Sequence, residues 1–214
     1  MLRRWAAAAT GLALALFTRF LTAARAIWDG TDPVARQRIY FANHTSNGDF
    51  MLIWTVLPPP LRRQTRPVAA ADYWLKNRAR EFIGRDVVNA VLVDRRAEHR
   101  DSDPIEAMVE ALDDGASLII FPEGKRNTSG EPLLPFKAGL YNMAKARPEI
   151  DLVPVWIENL NNVMPKGEVI PIPLICTVTF GAPIHVGKRE GIKRFLKRAE
   201  AALLALDAPG GVRE

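Results

Sequence analysis

Short apolar runs alternate with longer amphipathic stretches along most of this chain. Several runs have the length and composition of buried strands, because they are rich in branched and aromatic residues and are bounded by polar turns. They are residues 38–42, 90–93, 117–121, 152–157 and 176–180. Strands that alternate with helical patterns predict a single α/β domain with a mostly parallel central sheet flanked by helices.

Helices are predicted between these runs. The best defined begins at Pro104, after the N-cap candidate Asp103, and ends at Gly115. Residues 73–83 and 192–206 are also predicted as helices. The prolines of residues 57–61 end the helix before them, and the basic residues 62–66 are predicted as a loop.

Residues 1–28 are rich in alanine and leucine, which raises the question of a membrane segment. The uninterrupted apolar part covers only residues 5–17, and a span needs about 20 apolar residues, so a simple transmembrane helix is disfavoured. At about 100° per residue, the bulky apolar side chains share one face and the arginines share the other. The apolar face contains Trp5, Leu12, Leu16, Phe17, Phe20, Ala24, Ile27 and Trp28. This pattern favours an amphipathic helix that lies in a membrane interface. A cleaved signal peptide and a helix packed on its own domain are the alternatives.

Composition narrows the possible partners and sites. The chain has 214 residues, enough for one domain with a substantial core, and a net charge of +5 that suits an anionic partner. Cys176 is the only cysteine, so a disulfide framework is excluded. The three histidines have no helical ligand spacing, which disfavours a zinc site.

Chemically reactive side chains follow three of the predicted strands. His44 follows residues 38–42, Arg95 follows residues 90–93, and Glu123 follows residues 117–121. The carboxyl ends of parallel strands meet at one edge of a sheet, where α/β proteins bind their ligands. The sequence therefore predicts a base, a cation and a carboxylate around one pocket.

Two carboxylates near this pocket have more than one possible role. Asp49 comes three residues after Ser46, a spacing that favours a helix cap, and it could also orient the imidazole of His44 across the intervening turn. Glu123 is predicted at the end of a buried strand, where a carboxylate needs a partner, and Arg95 is the expected one.

Taken together, these segments resemble the glycerolipid acyltransferase family, typified by bacterial 1-acylglycerol-3-phosphate acyltransferases. The family's NHxSxxD block matches residues 43–49, and its arginine-ending strand matches residues 90–95. Its FPEGTRS block matches residues 121–127, with Lys125 and Asn127 in place of threonine and serine. An FKxG element at residues 136–139 and a Val-Pro-Val strand at residues 153–155 complete the resemblance.

The resemblance implies transfer of a fatty acyl group from acyl-CoA or acyl-carrier protein to the free hydroxyl of a lysophospholipid. The favoured acceptor is 1-acylglycerol-3-phosphate, which would give phosphatidate. His44 is the expected general base and Asp49 the expected group that orients it; no metal or cofactor is implied. The expected substrate-binding residues are Arg95, Glu123, Gly124, Lys125 and Arg126.

The resemblance also implies a place for the protein in the cell. Residues 1–30 would form a membrane-associating helix and residues 31–214 the acyltransferase domain. The protein would then be peripheral or monotopic on the cytoplasmic face of a bacterial inner membrane, with lipid rather than nucleic acid as its partner. The alternatives are an acyltransferase for another lyso-lipid, a membrane-surface phosphohydrolase and a non-catalytic lipid-binding protein.

Overall fold

A computed structural model describes residues 1–94, 103–158 and 175–207 of the chain. Within this described part, seven strands form one sheet. The strands are β1 (Arg25–Trp28), β2 (Arg38–Ala42), β3 (Thr65–Ala70), β4 (Val91–Val93), β5 (Ser117–Ile120), β6 (Asp151–Glu158) and β7 (Thr177–Phe180). The helices are α1 (Leu2–Thr22), α2 (Asp49–Val56), α3 (Pro59–Gln64), α4 (Ala71–Trp74), α5 (Arg78–Glu81), a π-helix (Phe82–Val87), α6 (Pro104–Asp113), α7 (Gly139–Ala146) and α8 (Ile192–Leu204).

The sheet is mostly parallel, and its strand order is β1-β7-β6-β2-β5-β3-β4. β2 lies at the centre, parallel to β6 on one side and to β5 on the other. β3 and β4 extend the parallel part beyond β5, whereas β7 runs antiparallel to β6 and pairs with β1. The predicted α/β domain with a mostly parallel central sheet is confirmed.

The core lies on both faces of the central strands. Every residue of β2 and β5 is buried, as expected for parallel strands that are covered by helices on both sides. Tyr40 and Ala42 face the cluster that contains residues of α2, whereas Ile39 and Phe41 face the cluster of α6, α7 and α8. His44 therefore follows the most deeply embedded strand of the molecule.

The first helix is shorter than predicted. It ends at Thr22, because Ala23 takes a left-handed conformation with φ 41° and ψ 38°. Residues 25–28, which the pattern placed in the helix, form β1 and pair with β7. The ring of Trp28 stacks on Phe180 with 4.1 Å between centroids. The prediction of a helix through Trp28 is wrong, because backbone pairing and aromatic stacking in the sheet outweigh the continuing amphipathic pattern.

α1 packs on the domain through small residues and leaves its bulky ones outside. Its buried positions are Ala7, Gly11, Ala15 and Thr22. A Cβ on Gly11 would lie 3.2 Å from Val87 and 3.4 Å from Trp54, so this close approach depends on small side chains. Its exposed apolar residues include Trp5, Leu12, Leu16, Phe17 and Phe20. By length and composition, α1 is also the one helix in the described part that could cross a membrane, so the short apolar run does not exclude a span.

Two connections differ from the sequence prediction. The basic residues 62–66, predicted as a loop, form the end of α3, which begins at Pro59, and the start of β3. The single helix predicted over residues 73–83 is divided among α4, α5 and the start of the π-helix. A new helix begins at α5 because Asn77 caps it by accepting a hydrogen bond from the Arg80 N–H. The N-cap role predicted for Asp103 is confirmed, since its carboxylate accepts from the Ile105 N–H at 2.9 Å.

Candidate active site

The strand end that carries His44 is fixed by its neighbour Asn43. The Asn43 side chain accepts from the Ile157 N–H at 2.8 Å and donates to the Ile157 carbonyl at 3.0 Å. These two bonds extend the β2–β6 pairing by one residue beyond Ala42. Because Asn43 is buried and doubly bonded, the backbone of His44 leaves the sheet at a defined position.

The imidazole of His44 contacts Asp49 through one of its two nitrogens. Nδ1 lies 2.9 Å from Asp49 Oδ2. A carboxylate oxygen accepts, so Nδ1 is the donor of this bond, and in the neutral imidazole Nε2 then carries the lone pair. The ring also stacks on Phe121, with 4.3 Å between centroids and 20° between planes. The side chain of Asp49 is fully buried, whereas that of His44 is 15% exposed, so the ring is fixed but accessible.

Asp49 orients the ring and organises the start of α2 with the same oxygen atom. Oδ2 also accepts from the N–H groups of Thr45 at 2.7 Å and Ser46 at 2.9 Å. The carboxylate side of the predicted capping box is therefore formed, although the Ser46 hydroxyl accepts from the Gly48 N–H instead of the Asp49 N–H. The two roles predicted for Asp49, helix cap and partner of His44, are structurally compatible.

Glu123 is buried beneath the histidine and accepts hydrogen bonds from two backbone amides. Oε1 accepts from the His44 N–H at 2.8 Å, and Oε2 accepts from the Leu134 N–H at 2.9 Å. Burial raises the pKa of the Glu123 carboxyl, and the two N–H bonds oppose that shift. Arg95, the partner expected from the sequence, lies outside the described residues. Within the described part, Glu123 is a group that positions His44 and the loop at Leu134.

The loop after β5 encloses the histidine backbone. The Asn127 N–H donates to the His44 carbonyl at 2.6 Å. The Asn127 side chain accepts from Ser129 and donates to the Glu131 carbonyl, which closes the loop on itself. Gly124 has a φ of 70°, a left-handed value that favours glycine at this turn. Residues 123–127 therefore hold both polar groups of the His44 peptide.

His44 lines a cleft of about 530 Å³ that lies beyond the carboxyl ends of β3, β4 and β5. Much of the wall is apolar. It includes Val68, Ala69, Ala70, Val93, Ile105, Met108, Ile120, Leu140 and Met143. Gly124 also lines the cleft. Lys125 and Arg126, two predicted substrate-binding residues, are exposed and are not part of its described lining, and Asp49 and Glu123 support His44 from outside it.

Two residues that sequence reasoning left without a role contribute to this site. Asn43 belongs to the first block of the resemblance, but only the structure shows its bonds to Ile157. Lys137 belongs to the FKxG segment and lines the cleft. The sequence shows Lys137 only as a cation directly after Phe136. No periodic pattern predicts that its side chain lies against the loop after β5.

The described residues include no group of three or more histidine, cysteine or acidic side chains that could hold a metal ion. Cys176 is buried beside the end of α1, and its burial raises the pKa of the thiol to about 11. A thiolate nucleophile at Cys176 is therefore not favoured.

The segments that form this site match a known protein family. Residues 26–158 match a family model described as Acyltransferase. That range contains His44, Asp49 and the loop after β5, together with the central strands that position them.

Two curated plant proteins are similar in sequence. A 1-acyl-sn-glycerol-3-phosphate acyltransferase from Cocos nucifera is 27% identical over 177 residues, which cover 81% of this chain and 54% of the coconut protein. The chain thus spans about half the length of that relative. The chloroplastic 1-acyl-sn-glycerol-3-phosphate acyltransferase BAT2 from Brassica napus is 35% identical over 65 residues, or 30% of this chain and 18% of that protein.

A solved structure has the same fold. The crystal structure of the 1-acyl-sn-glycerophosphate acyltransferase PlsC from Thermotoga maritima aligns with a TM-score of 0.72 and 21% sequence identity. The alignment covers 95% of this chain and 80% of the other.

Proposed function

This chain belongs to the acyltransferase family, and from that membership we propose that it is an O-acyltransferase acting on a lysophospholipid. The acceptor is 1-acylglycerol-3-phosphate and the product is phosphatidate. The names of the coconut, Brassica and Thermotoga proteins support this acceptor. The donor is a fatty acyl thioester, either acyl-CoA or acyl-carrier protein.

The observation that supports this function most directly is the His44–Asp49 pair at the cleft. A histidine whose Nδ1 is held by a buried carboxylate keeps Nε2 available as a base, as in hydrolytic triads. No serine or cysteine nucleophile is needed, because the acceptor supplies its own hydroxyl.

The reaction follows from this arrangement. Nε2 of His44 removes the proton of the acceptor hydroxyl as its oxygen attacks the thioester carbonyl carbon. Asp49 stabilises the imidazolium that forms, through the Nδ1–H bond of 2.9 Å. The tetrahedral intermediate then collapses, the C–S bond breaks, and the leaving thiolate takes the proton from Nε2. The products are the new ester and the free thiol, and His44 returns to its starting state.

The shape of the cleft suits the two kinds of group that must meet at His44. Its apolar wall, formed by residues of β3, β4, α6 and α7, can take a fatty acyl chain away from water. Its polar end carries His44 and Gly124, where the reacting ester and the glycerol headgroup would lie. A cleft of about 530 Å³ is in the usual range for small-molecule sites.

Membrane attachment through α1 completes the proposal. The acceptor and product reside in a bilayer, and α1 exposes a bulky apolar face that includes Trp5, Phe17 and Phe20. Acyl thioesters are cytosolic, so the enzyme acts at the cytoplasmic face of a bacterial inner membrane, as a peripheral or monotopic protein.

The test is a histidine substitution assayed across acceptors. His44→Ala is expected to lower kcat by about 10²–10⁴-fold, the usual contribution of a general base, without changing the fold or vesicle binding. The assay uses purified protein with acyl-CoA and acyl-carrier protein donors and a panel of lysolipids. The matched control is His185→Ala, because His185 is a half-exposed histidine that pairs with Asp151 at the amino end of β6, away from the strand ends that carry His44.

Near-normal turnover by His44→Ala would contradict the mechanism. A wild-type preference for a lysolipid other than 1-acylglycerol-3-phosphate would contradict the acceptor while leaving the acyl transfer intact. Release of inorganic phosphate from the lipid, without ester formation, would indicate a phosphohydrolase.

A further inference from the structure

The side chain of Lys137 occupies the space that a side chain on Gly124 would need. A Cβ built on Gly124 would lie 2.7 Å from Lys137 Cε, and 2.8 Å from both Cδ and Nζ. These separations are far below van der Waals contact, so the end of the lysine lies directly against the Gly124 backbone. Both residues line the cleft that contains His44.

The backbone of Lys137 is fixed, although its side chain is exposed. The Lys137 N–H donates to the Pro122 carbonyl at 2.8 Å, which joins it to the loop after β5. The preceding Phe136 is buried, makes an edge contact with Phe41, and donates its N–H to Glu200 at 2.9 Å. The lysine therefore starts from a rigid position and its stem crosses Gly124 in a defined direction.

None of the ion pairs seen among the described residues involves the Lys137 ammonium. Glu123, the nearest acid in the loop, already accepts N–H bonds with both oxygens. Asp103 also lines the cleft, but its carboxylate caps α6 at Ile105. Among the described residues that line the cleft, Lys137 is the only lysine or arginine. Lys125 and Arg126 are not part of this lining.

We propose that Lys137 binds the phosphate group of the acceptor, and that the space over Gly124 is the phosphate subsite of the cleft. This inference rests on the proposed function and adds a residue that the sequence motifs did not assign. An ammonium offers three donors and one full charge, which suits the oxygens of a phosphomonoester.

Chemical connectivity supports this location. In 1-acylglycerol-3-phosphate, the free hydroxyl and the phosphate are on adjacent glycerol carbons, so the phosphate must bind close to the group that deprotonates the hydroxyl. The turn at Gly124 lies close to His44, because Phe121 stacks on the His44 ring and the Phe121 carbonyl accepts from the Gly124 N–H at 2.9 Å. A cation held over Gly124 is therefore within reach of a headgroup whose hydroxyl contacts His44.

The experiment compares Lys137→Met and Lys137→Arg with the wild type. Methionine keeps most of the aliphatic stem over Gly124 and removes the charge. We expect Lys137→Met to raise the KM for 1-acylglycerol-3-phosphate by about 10- to 100-fold, the effect of losing one charged hydrogen bond, with kcat and the donor KM nearly unchanged. Lys137→Arg should retain most of the affinity, and monoacylglycerol, which lacks the phosphate, should be used equally by all variants. Lys145→Met, at an exposed position of α7, is the matched control.

A parallel measurement does not depend on turnover. Glycerol 3-phosphate binding to the purified full-length protein, followed by calorimetry, should be weakened in Lys137→Met and unchanged in Lys145→Met. Equal binding by wild type and Lys137→Met, or no binding by the wild type, would overturn the proposal. So would a loss of kcat that is the same for the phosphorylated and the uncharged acceptor. Absence of acyl transfer by the wild type would instead overturn the proposed function, while the binding measurement would still test Lys137.

Discussion

The carboxylates nearest His44 make most of their contacts with backbone amides. Asp49 Oδ2 accepts from two amides as well as from the ring, and Glu123 accepts from two amides on different segments. Each carboxylate therefore fixes the local backbone and the position of His44 together. A substitution that keeps the shape of Glu123 but removes one of its two acceptor oxygens tests both effects.

Glu123→Gln should show how far activity depends on this arrangement. The amide nitrogen of glutamine cannot accept, so the N–H of His44 or of Leu134 loses its bond inside the protein. We expect a stability loss of about 1–3 kcal/mol in urea unfolding. A displaced His44 should also lower kcat by about 10- to 100-fold. Glu131→Gln, on the exposed part of the same loop, is the control, and wild-type kcat in Glu123→Gln would contradict the positioning role.

At this scale, the sequence predicted that His44 and Asp49 meet, but not how the residues of the site bond. His44 and Asp49 were predicted as partners because the turn between them is short and polar. The bonds from Glu123 to backbone amides could not be predicted, because a backbone amide has the same chemistry at every residue and only the fold selects one. Lys137 was missed for a related reason, since its position over Gly124 depends on a turn with a φ of 70°.

At the scale of elements, α1 shows how an amphipathic pattern can be correct about faces and wrong about packing and length. The pattern identified the bulky apolar face of α1, but the face that packs on the domain contains the small residues Ala7, Gly11 and Ala15. The exposed aromatic side chains Trp5, Phe17 and Phe20 are therefore available to another apolar phase. The end of the helix was missed because β1 is specified by pairing with β7, more than a hundred residues further along the chain.

Replacing aromatic residues on this face should weaken membrane binding. Phe17→Asp and Phe20→Asp are each expected to reduce binding to phosphatidylglycerol vesicles by about 10- to 100-fold, because a buried phenylalanine side chain contributes about 1.5–3 kcal/mol. Co-sedimentation measures the binding, and activity on detergent-dispersed acceptor should be retained. Leu204→Asp, an exposed apolar position at the end of α8, should bind vesicles as the wild type does. Unchanged binding by both phenylalanine variants would contradict a membrane role for this face.

At the scale of the molecule, the fold class followed from the alternation of strands and helices, whereas the strand order did not. β3 was missed because Thr65–Ala70 begins within a basic segment and contains Pro67, both of which favour a loop. Its place between β5 and β4 separates the β4 end, which precedes Arg95, from β5 by one strand. The prediction that three strand ends share one edge holds, but only those of β2 and β5 are immediate neighbours.

The acid sensitivity of the fold should depend in part on an ion pair near α8. The Arg198 guanidinium and the Gly187 N–H donate hydrogen bonds to the Glu190 carboxylate. These bonds lower the pKa of the carboxyl from 4.5 to about 2. The stability that this pair contributes is present above pH 4.5 and is lost as the pH falls through about 2, because the unfolded state takes up the proton first. Glu190→Gln should therefore be less stable than the wild type at pH 7, and the difference should shrink as the pH falls.

Urea unfolding at a series of pH values checks this expectation. In an Arg198→Met background, Glu190→Gln should change stability much less, because the main cause of the shifted pKa is absent. A wild-type advantage that persists unchanged to pH 2 would contradict it.

The two polar groups of the His44 peptide are bound by residues far along the chain, which has a consequence for folding. The Glu123 carboxylate and the His44 N–H that it accepts are 79 residues apart in sequence. Contacts of such separation form late, since a long loop must close before they contribute. The catalytic geometry cannot assemble in the segment around His44 alone, and requires that β2 and β5 have already paired. Recovery of turnover during refolding should thus follow the pairing of β2 with β5, and enzymatic activity becomes a reporter of a non-local step in the formation of this domain.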